Sequence, residues 1–163
     1  YHICHAKNLN VPVMVADNGK GFCQNKAVKI IDDYLPTDES GKGAGALSAI
    51  ASAIENLTSQ NGYLMVISCD CLIGADLVFA KLVHQIIDED VVYLKSEKDY
   101  PLLGLYRVDL LPRLKDFLDK GNRSVMKFLS DKKVKTVDLP NEWGALANFN
   151  TSDEFNRTKI MYG

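Results

Sequence analysis

Along this chain, short apolar runs alternate with amphipathic stretches whose apolar residues recur every three or four positions. That is the pattern of strands layered with helices. Val11–Ala16, Ala27–Ile31, Asp90–Leu94, Pro101–Tyr106 and Val134–Val137 read as strands. Tyr63–Cys69 (YLMVISC) is almost wholly apolar, which predicts a central strand buried on both faces. Leu47, Ile50, Ile54 and Leu57 share one face of a helix over Ala46–Leu57, and Phe79, Leu82, Val83 and Ile86 do the same over Ala75–Ile87. A third helix, Leu110–Leu118, closes on a basic turn and Gly121, and shorter ones are predicted over Ser124–Leu129 and Ser152–Lys159. The strand–helix–strand order predicts an α/β fold of three layers, Rossmann-like, with a mostly parallel central sheet and helices on both faces. Ligands of such sheets bind beyond the carboxyl ends of the strands.

Two strands end in carboxylates there. AVKII runs into Asp32 and Asp33, and YLMVISC into Asp70. A hard cation such as Mg²⁺ takes one or two carboxylates plus substrate phosphates, so Asp33 and Asp70 are candidates for one shared nucleotide–metal site, or else cap helices and turns. The loop after Asp33 carries Gly41, Gly43 and Gly45 ahead of a helix, which suits close approach of backbone to an anion. It lacks the Gly-Lys-Ser/Thr ending of a Walker loop. Cys69 and Cys71 flank Asp70, but the spacing to His2, Cys4 or His5 matches no strong zinc pattern. His84 falls on the polar side of its helix, and Trp143 reads as a packing anchor in a loop.

Composition narrows the field. The 163 residues are 47% apolar and 25% charged, enough for one domain with one substantial core. With 19 basic against 21 acidic residues, no global field favours nucleic acid or an anionic membrane. No apolar run is long enough for a transmembrane helix, and no signal segment opens the chain. Four irregularly spaced cysteines suggest reduced thiols and a cytoplasmic protein, so the Asn-x-Ser/Thr triplets carry no glycosylation argument.

Read in order, V-K-I-I-D-D, G-A-G-A-L-S-A-I, V-I-S-C-D, Y-P-L-L-G-L-Y-R, K-G-N-R-S-V-M-K-F-L and A-N-F-N-T-S-D-E-F resemble the molybdenum cofactor guanylyltransferases, a branch of the nucleotidyltransferases. The resemblance runs from about Val13 to Phe155, and its two C-terminal blocks are the most specific. It implies one nucleotidyltransferase domain that transfers GMP from Mg-GTP to molybdenum–molybdopterin, giving the guanine dinucleotide cofactor and pyrophosphate. It implies Asp70 as the catalytic, metal-binding residue, with Asn18, Asp33 and Asp70 on the nucleotide. Arg123, Asn148 and Asn150 match positions attributed to the pterin side. Cofactor-insertion proteins and molybdoenzymes are the further partners it suggests.

The chain departs from the family pattern at Ala46 and Leu72, where prolines are usual, and at Ala49, where a second glycine is usual. The chain begins at Tyr1, and the family's opening strand and Gly-rich triphosphate loop have no counterpart from there on. These 163 residues by themselves are therefore not expected to be a competent enzyme. Two other readings stay open: a non-catalytic pterin- or nucleotide-binding paralogue, and a nucleotidyltransferase for another phosphorylated acceptor.

Overall fold

A computed structural model describes residues 1–21, 23, 28–37, 43–149, 151 and 156. In chain order the described elements are α1 (His2–Lys7), β1 (Met14–Ala16), β2 (Lys29–Ile31), α2 (Ala46–Glu55), β3 (Tyr63–Ile67), α3 (Ala75–Val83), β4 (Val91–Lys95), β5 (Asp99–Arg107), α4 (Leu111–Asp119), α5 (Val125–Leu129) and β6 (Val134–Asp138). Short 3₁₀ turns cover Val108–Leu110 and Asn141–Leu146. Every predicted strand and helix before residue 150 has its counterpart. The helix predicted over Ser152–Lys159 lies outside the described residues.

The strands form a parallel β1–β2 pair and a four-stranded sheet in the order β3-β5-β4-β6. Here the expected mostly parallel sheet is corrected. β5 pairs antiparallel with both β3 and β4, and only β4 and β6 pair in parallel. The cause is local: only residues 96–98 separate β4 from β5. A connection that short closes a hairpin, whereas a parallel neighbour needs a crossover of about a dozen residues. β3, β4 and β6 still run the same way, so their carboxyl ends share one rim of the sheet.

The alternation of side chains along the strands builds two apolar clusters, one on each face. Leu64 and Val66 of β3 join Val91 and Tyr93 of β4 against α2, α4 and α5, where Leu47, Ile54, Leu114, Leu118 and Phe128 are fully buried. Tyr63, Met65 and Ile67 join Val92, Leu94, Leu103 and Leu105 on the other face, under Val78 and Leu82 of α3. Trp143 packs into that second cluster, as an anchor should. β3 thus meets apolar partners on both faces, as its composition predicts. It is not central, however: it stands at the edge of its sheet, and all five of its residues are half-buried.

Gly104 sits across from both Val66 and Tyr93. A Cβ there would meet Tyr93 Cβ and the Val92 carbonyl oxygen at 2.9 Å, so the close approach of the two strands needs glycine. The register of β4 on β5 slips between Tyr93 and Leu94, beside Pro101, which has no N–H to give the ladder. α1, which the apolar pattern does not announce, docks on the segment after Asp70. Tyr1 Oη donates to the Leu72 carbonyl at 2.7 Å, and Asp76 accepts from Asn8 Nδ2 at 3.1 Å and meets His5 Nδ1 at 2.9 Å. No described helix is long and apolar enough to cross a membrane.

Candidate active site

The exits of β1 and β2 meet in one polar junction. Asp17-Asn18-Gly19-Lys20 is a tight turn with φ of 52° at Asn18 and 70° at Gly19, closed by Lys20 N–H donating to the Asp17 carbonyl at 3.1 Å. An Asn-Gly pair is the residue choice for a turn with two left-handed central positions. The turn aims the Asn18 amide at Asp33. Its Nδ2 donates to Asp33 Oδ2 at 2.8 Å, and its Oδ1 accepts from the Asp33 N–H at 2.8 Å. Gly43 lies against this pair, and a Cβ on it would stand 3.1 Å from Asn18 Nδ2.

Gly45, with φ of 86°, then opens α2 without a side-chain cap. The orphan N–H groups of that first turn carry the partial positive charge that attracts anions. Ser48 fixes α2 to the exit of β2: its carbonyl accepts from Tyr34 N–H at 3.1 Å and its Oγ from Leu35 N–H at 2.8 Å. Gly41, the first glycine of this loop, lies outside the described residues.

A cleft of about 170 Å³ opens at the carboxyl rim of the four-stranded sheet. Asp70 lines it just past the end of β3, and Asn148 lines it from beyond the 3₁₀ turn. Backbone bonds hold the two segments together: Leu72 N–H donates to the Leu146 carbonyl and Phe149 N–H to the Asp70 carbonyl, both at 2.8 Å. Ser68, Asp99 and Tyr100 share the rim, with Pro101, Leu102 and Val125 as apolar wall. Among the described residues the Asp70 carboxylate accepts no hydrogen bond and forms no ion pair.

The oxygen donors of this cleft, a carboxylate with hydroxyl and amide oxygens around it, suit a hard cation such as Mg²⁺ rather than a soft metal. Among the described residues no group of three or more His, Cys, Asp or Glu side chains assembles to hold a metal, so a cation here would draw on at most the two carboxylates of the cleft, Asp70 and Asp99, with the remainder from phosphates and water. Cys71 beside it is buried, and burial pushes its thiol up to about 11. Its carbonyl is 2.9 Å from His2 Nε2, and burial in that corner lowers the pKa of His2.

The structure therefore brings Asn18 to Asp33, and Asp70 to Asn148. Neither Asn18 nor Asp33 lines the cleft of Asp70. Arg123 is exposed after α4, where its Nη1 donates to the carbonyls of Leu118 and Asn122 at 2.7 Å. Asn150 lies outside the described residues. Sequence reasoning missed Asp99, because the apolar pattern marks this strand only from Pro101, two residues after its start. The polar run Ser96-Glu97-Lys98 between two apolar strands was the available signal for a hairpin that would place Asp99 on the rim.

Residues 9–135 match the model of a family described as the MobA-like NTP transferase domain. The chain belongs to this family. Among curated relatives, the molybdenum cofactor guanylyltransferase of Pasteurella multocida is 27% identical over 117 residues, covering 70% of this chain and 61% of that protein. The enzyme of the same name from Shewanella piezotolerans is 27% identical over 135 residues, 80% of this chain and 66% of that one. The chain thus spans a little over three-fifths of the length of the relatives it matches.

Among solved structures, molybdopterin-guanine dinucleotide biosynthesis protein A from Archaeoglobus fulgidus superposes with a TM-score of 0.64 at 20% identity, covering 82% of this chain and 68% of that one. A protein from Aquifex aeolicus gives 0.62 at 22% identity, over 77% and 63% of the two chains. At that identity the likeness is one of α/β fold. The mixed sheet described above is the sheet of a nucleotidyltransferase family member.

Proposed function

We propose that the protein transfers GMP from Mg-GTP to the terminal phosphate of molybdenum–molybdopterin, yielding the guanine dinucleotide cofactor and pyrophosphate. The observation that carries this is the Asp70 carboxylate, free of hydrogen bonds among the described residues, on one cleft with Asn148. A nucleotidyl transfer needs an anionic metal ligand at one side of the reacting phosphorus and a polar grip on the acceptor at the other. Family membership supports the nucleotidyl chemistry, and the names of the relatives support the substrates.

In the reaction a phosphate oxygen of the acceptor attacks the α-phosphorus of GTP in line. The new P–O bond forms as the bond to pyrophosphate breaks, and no protein nucleophile is required. Mg²⁺, when bound, neutralises charge on the phosphates. Asp70 holds the cation. The Asn18–Asp33 junction and the uncapped start of α2 serve the nucleotide, and Asn148 serves the acceptor together with Arg123 and Asn150.

The test is Mg²⁺-dependent GMP transfer by the intact protein with molybdenum–molybdopterin as acceptor, read by pyrophosphate release. Asp70→Ala should lower turnover about a hundredfold or more with an unchanged circular dichroism spectrum. Turnover retained in that folded variant overturns the assignment. In the same assay Arg123→Ala and Asn150→Ala should raise KM for the acceptor more than KM for GTP, and equal rises would contradict the division of the site.

A further inference from the structure

Asp99 opens β5 on the rim of the Asp70 cleft, and its carboxylate is oriented by neighbours on β4. Tyr93 Oη donates to Asp99 Oδ1 at 2.9 Å, and Lys95 Nζ stands 3.4 Å from the same oxygen. Tyr93 is itself only 4% exposed, so its hydroxyl is a fixed donor. Burial, reinforced by Asp99, pushes that hydroxyl up to about 12, and it stays protonated at any physiological pH. Among the described residues Oδ2 has no partner, while the Asp99 side chain is 31% exposed.

Three chemical partners could meet such a group. A phosphate is repelled by it. A divalent cation is disfavoured, because the Lys95 ammonium 3.4 Å from Oδ1 already offsets the charge of the carboxylate and repels a second cation. With Oδ1 taken by Tyr93 and Lys95, an uncharged ring edge carrying two adjacent N–H donors suits it best, because the two lone pairs of Oδ2 can accept both bonds. Pro101, Leu102 and Val125 on the wall of the cleft favour a flat heteroaromatic body behind that edge.

Resting on the acceptor reading above, we propose that Asp99 is the specificity-determining residue for the acceptor's pteridine ring, accepting from the ring N–H and the 2-amino group of its 2-amino-4-oxo-pyrimidine edge. Tyr93 and Lys95 are its positioning residues. The arrangement selects a 2-amino-4-oxo ring over a 2,4-dioxo ring, whose 2-oxygen would face the carboxylate with lone pair against lone pair. Replacing Asp99 by Asn turns one acceptor into a donor and should reverse the preference.

The experiment is fluorescence titration of the protein with pterin and with lumazine, its 2,4-dioxo analogue, both free of phosphate and with no nucleotide added. The unmodified protein should bind pterin about tenfold or more tighter than lumazine, the discrimination expected of one two-point hydrogen-bonded contact. Asp99→Asn should invert or abolish that ratio, and Tyr93→Phe should reduce it by a smaller factor while leaving the charge in place. If Asp99→Asn does not fold, Asp99→Ser should abolish the ratio instead.

Equal binding of pterin and lumazine by the unmodified protein, or an unaltered ratio in folded Asp99→Asn, overturns the proposal. So does an Asp99→Asn variant whose only change is its Mg²⁺ requirement in GMP transfer. Because the titration needs no turnover, it separates failure of this assignment from failure of the GMP-transfer reading, which the Asp70 variant tests.

Discussion

At the scale of single residues, neighbours in sequence have opposite chemistry in this site. Asp70 lines the cleft, whereas Cys71 turns into the second apolar cluster and is 2% exposed. Because the thiolate is the reactive form, a buried thiol pushed up to about 11 is inert at neutral pH. Iodoacetamide at pH 7.5 should therefore modify exposed Cys4 and Cys69 at least about tenfold faster than Cys71 in the folded protein, read by peptide mass mapping. Comparable rates would show that the segment after Asp70 opens. Cys69 and Asp70 form a turn just past β3, which leaves Cys69 exposed before the chain carries Cys71 into the core. Asp70 was legible in the sequence because an apolar strand delivers whatever follows it to the rim. Asn18 was legible only through the family resemblance, because its turn with Gly19 aims it at Asp33 across a contact between two strand ends.

At the scale of elements, the N-terminal helix is the clearest addition made by the structure. α1 is six residues long and buries only Ala6, so it holds by polar contacts and not by an apolar face. Its anchor is Asp76 in the first turn of α3. The hydrogen bond from Asn8, helped by His5 and by the Leu77 N–H, holds that carboxyl below its usual 3.8 against some desolvation. A carboxyl lowered by folding stabilises the folded state above its unfolded value, and that contribution fades as pH falls through the lowered one. Amide exchange in residues 2–7, corrected for intrinsic rates, should stay slow from pH 7 down to about 4 and quicken below the lowered value. Asp76→Ala should make exchange fast across the whole range. Slow exchange in that variant would show that α1 is held by something other than Asp76. The six-residue helix has no periodicity to detect, which is why the apolar pattern passes over it.

At the scale of the whole molecule, the four-stranded sheet is the shared wall of both apolar clusters. Leu118 of α4 is fully buried on one face and Leu82 of α3 on the other. Truncating either to Ala removes buried methyl groups and leaves a cavity, at a cost of about 2–5 kcal/mol each. Since the strands carry residues of both clusters, urea unfolding followed by circular dichroism should show one transition, shifted by either substitution. Two separable transitions, each moved by only one of the substitutions, would show that the faces unfold independently.

Local sequence sets the type of almost every described element and the delivery of Asp33 and Asp70 to strand ends. Both follow from local periodicity and from the fact that a strand's direction carries its last residues to the rim. Which strands are neighbours is set by packing between distant segments. The six-residue gap between the predicted fourth and fifth strands was already too short for a parallel crossover, so β5 had to reverse, and that signal was available. The place of β3 at the edge of its sheet, the meeting of Asp70 with Asn148 across 78 positions of chain, and the clamping of Asp99 by Tyr93 depend on pairing between distant segments. Such contacts form only when the two faces of the sheet are buried together, and no periodicity within one segment encodes its partner in another.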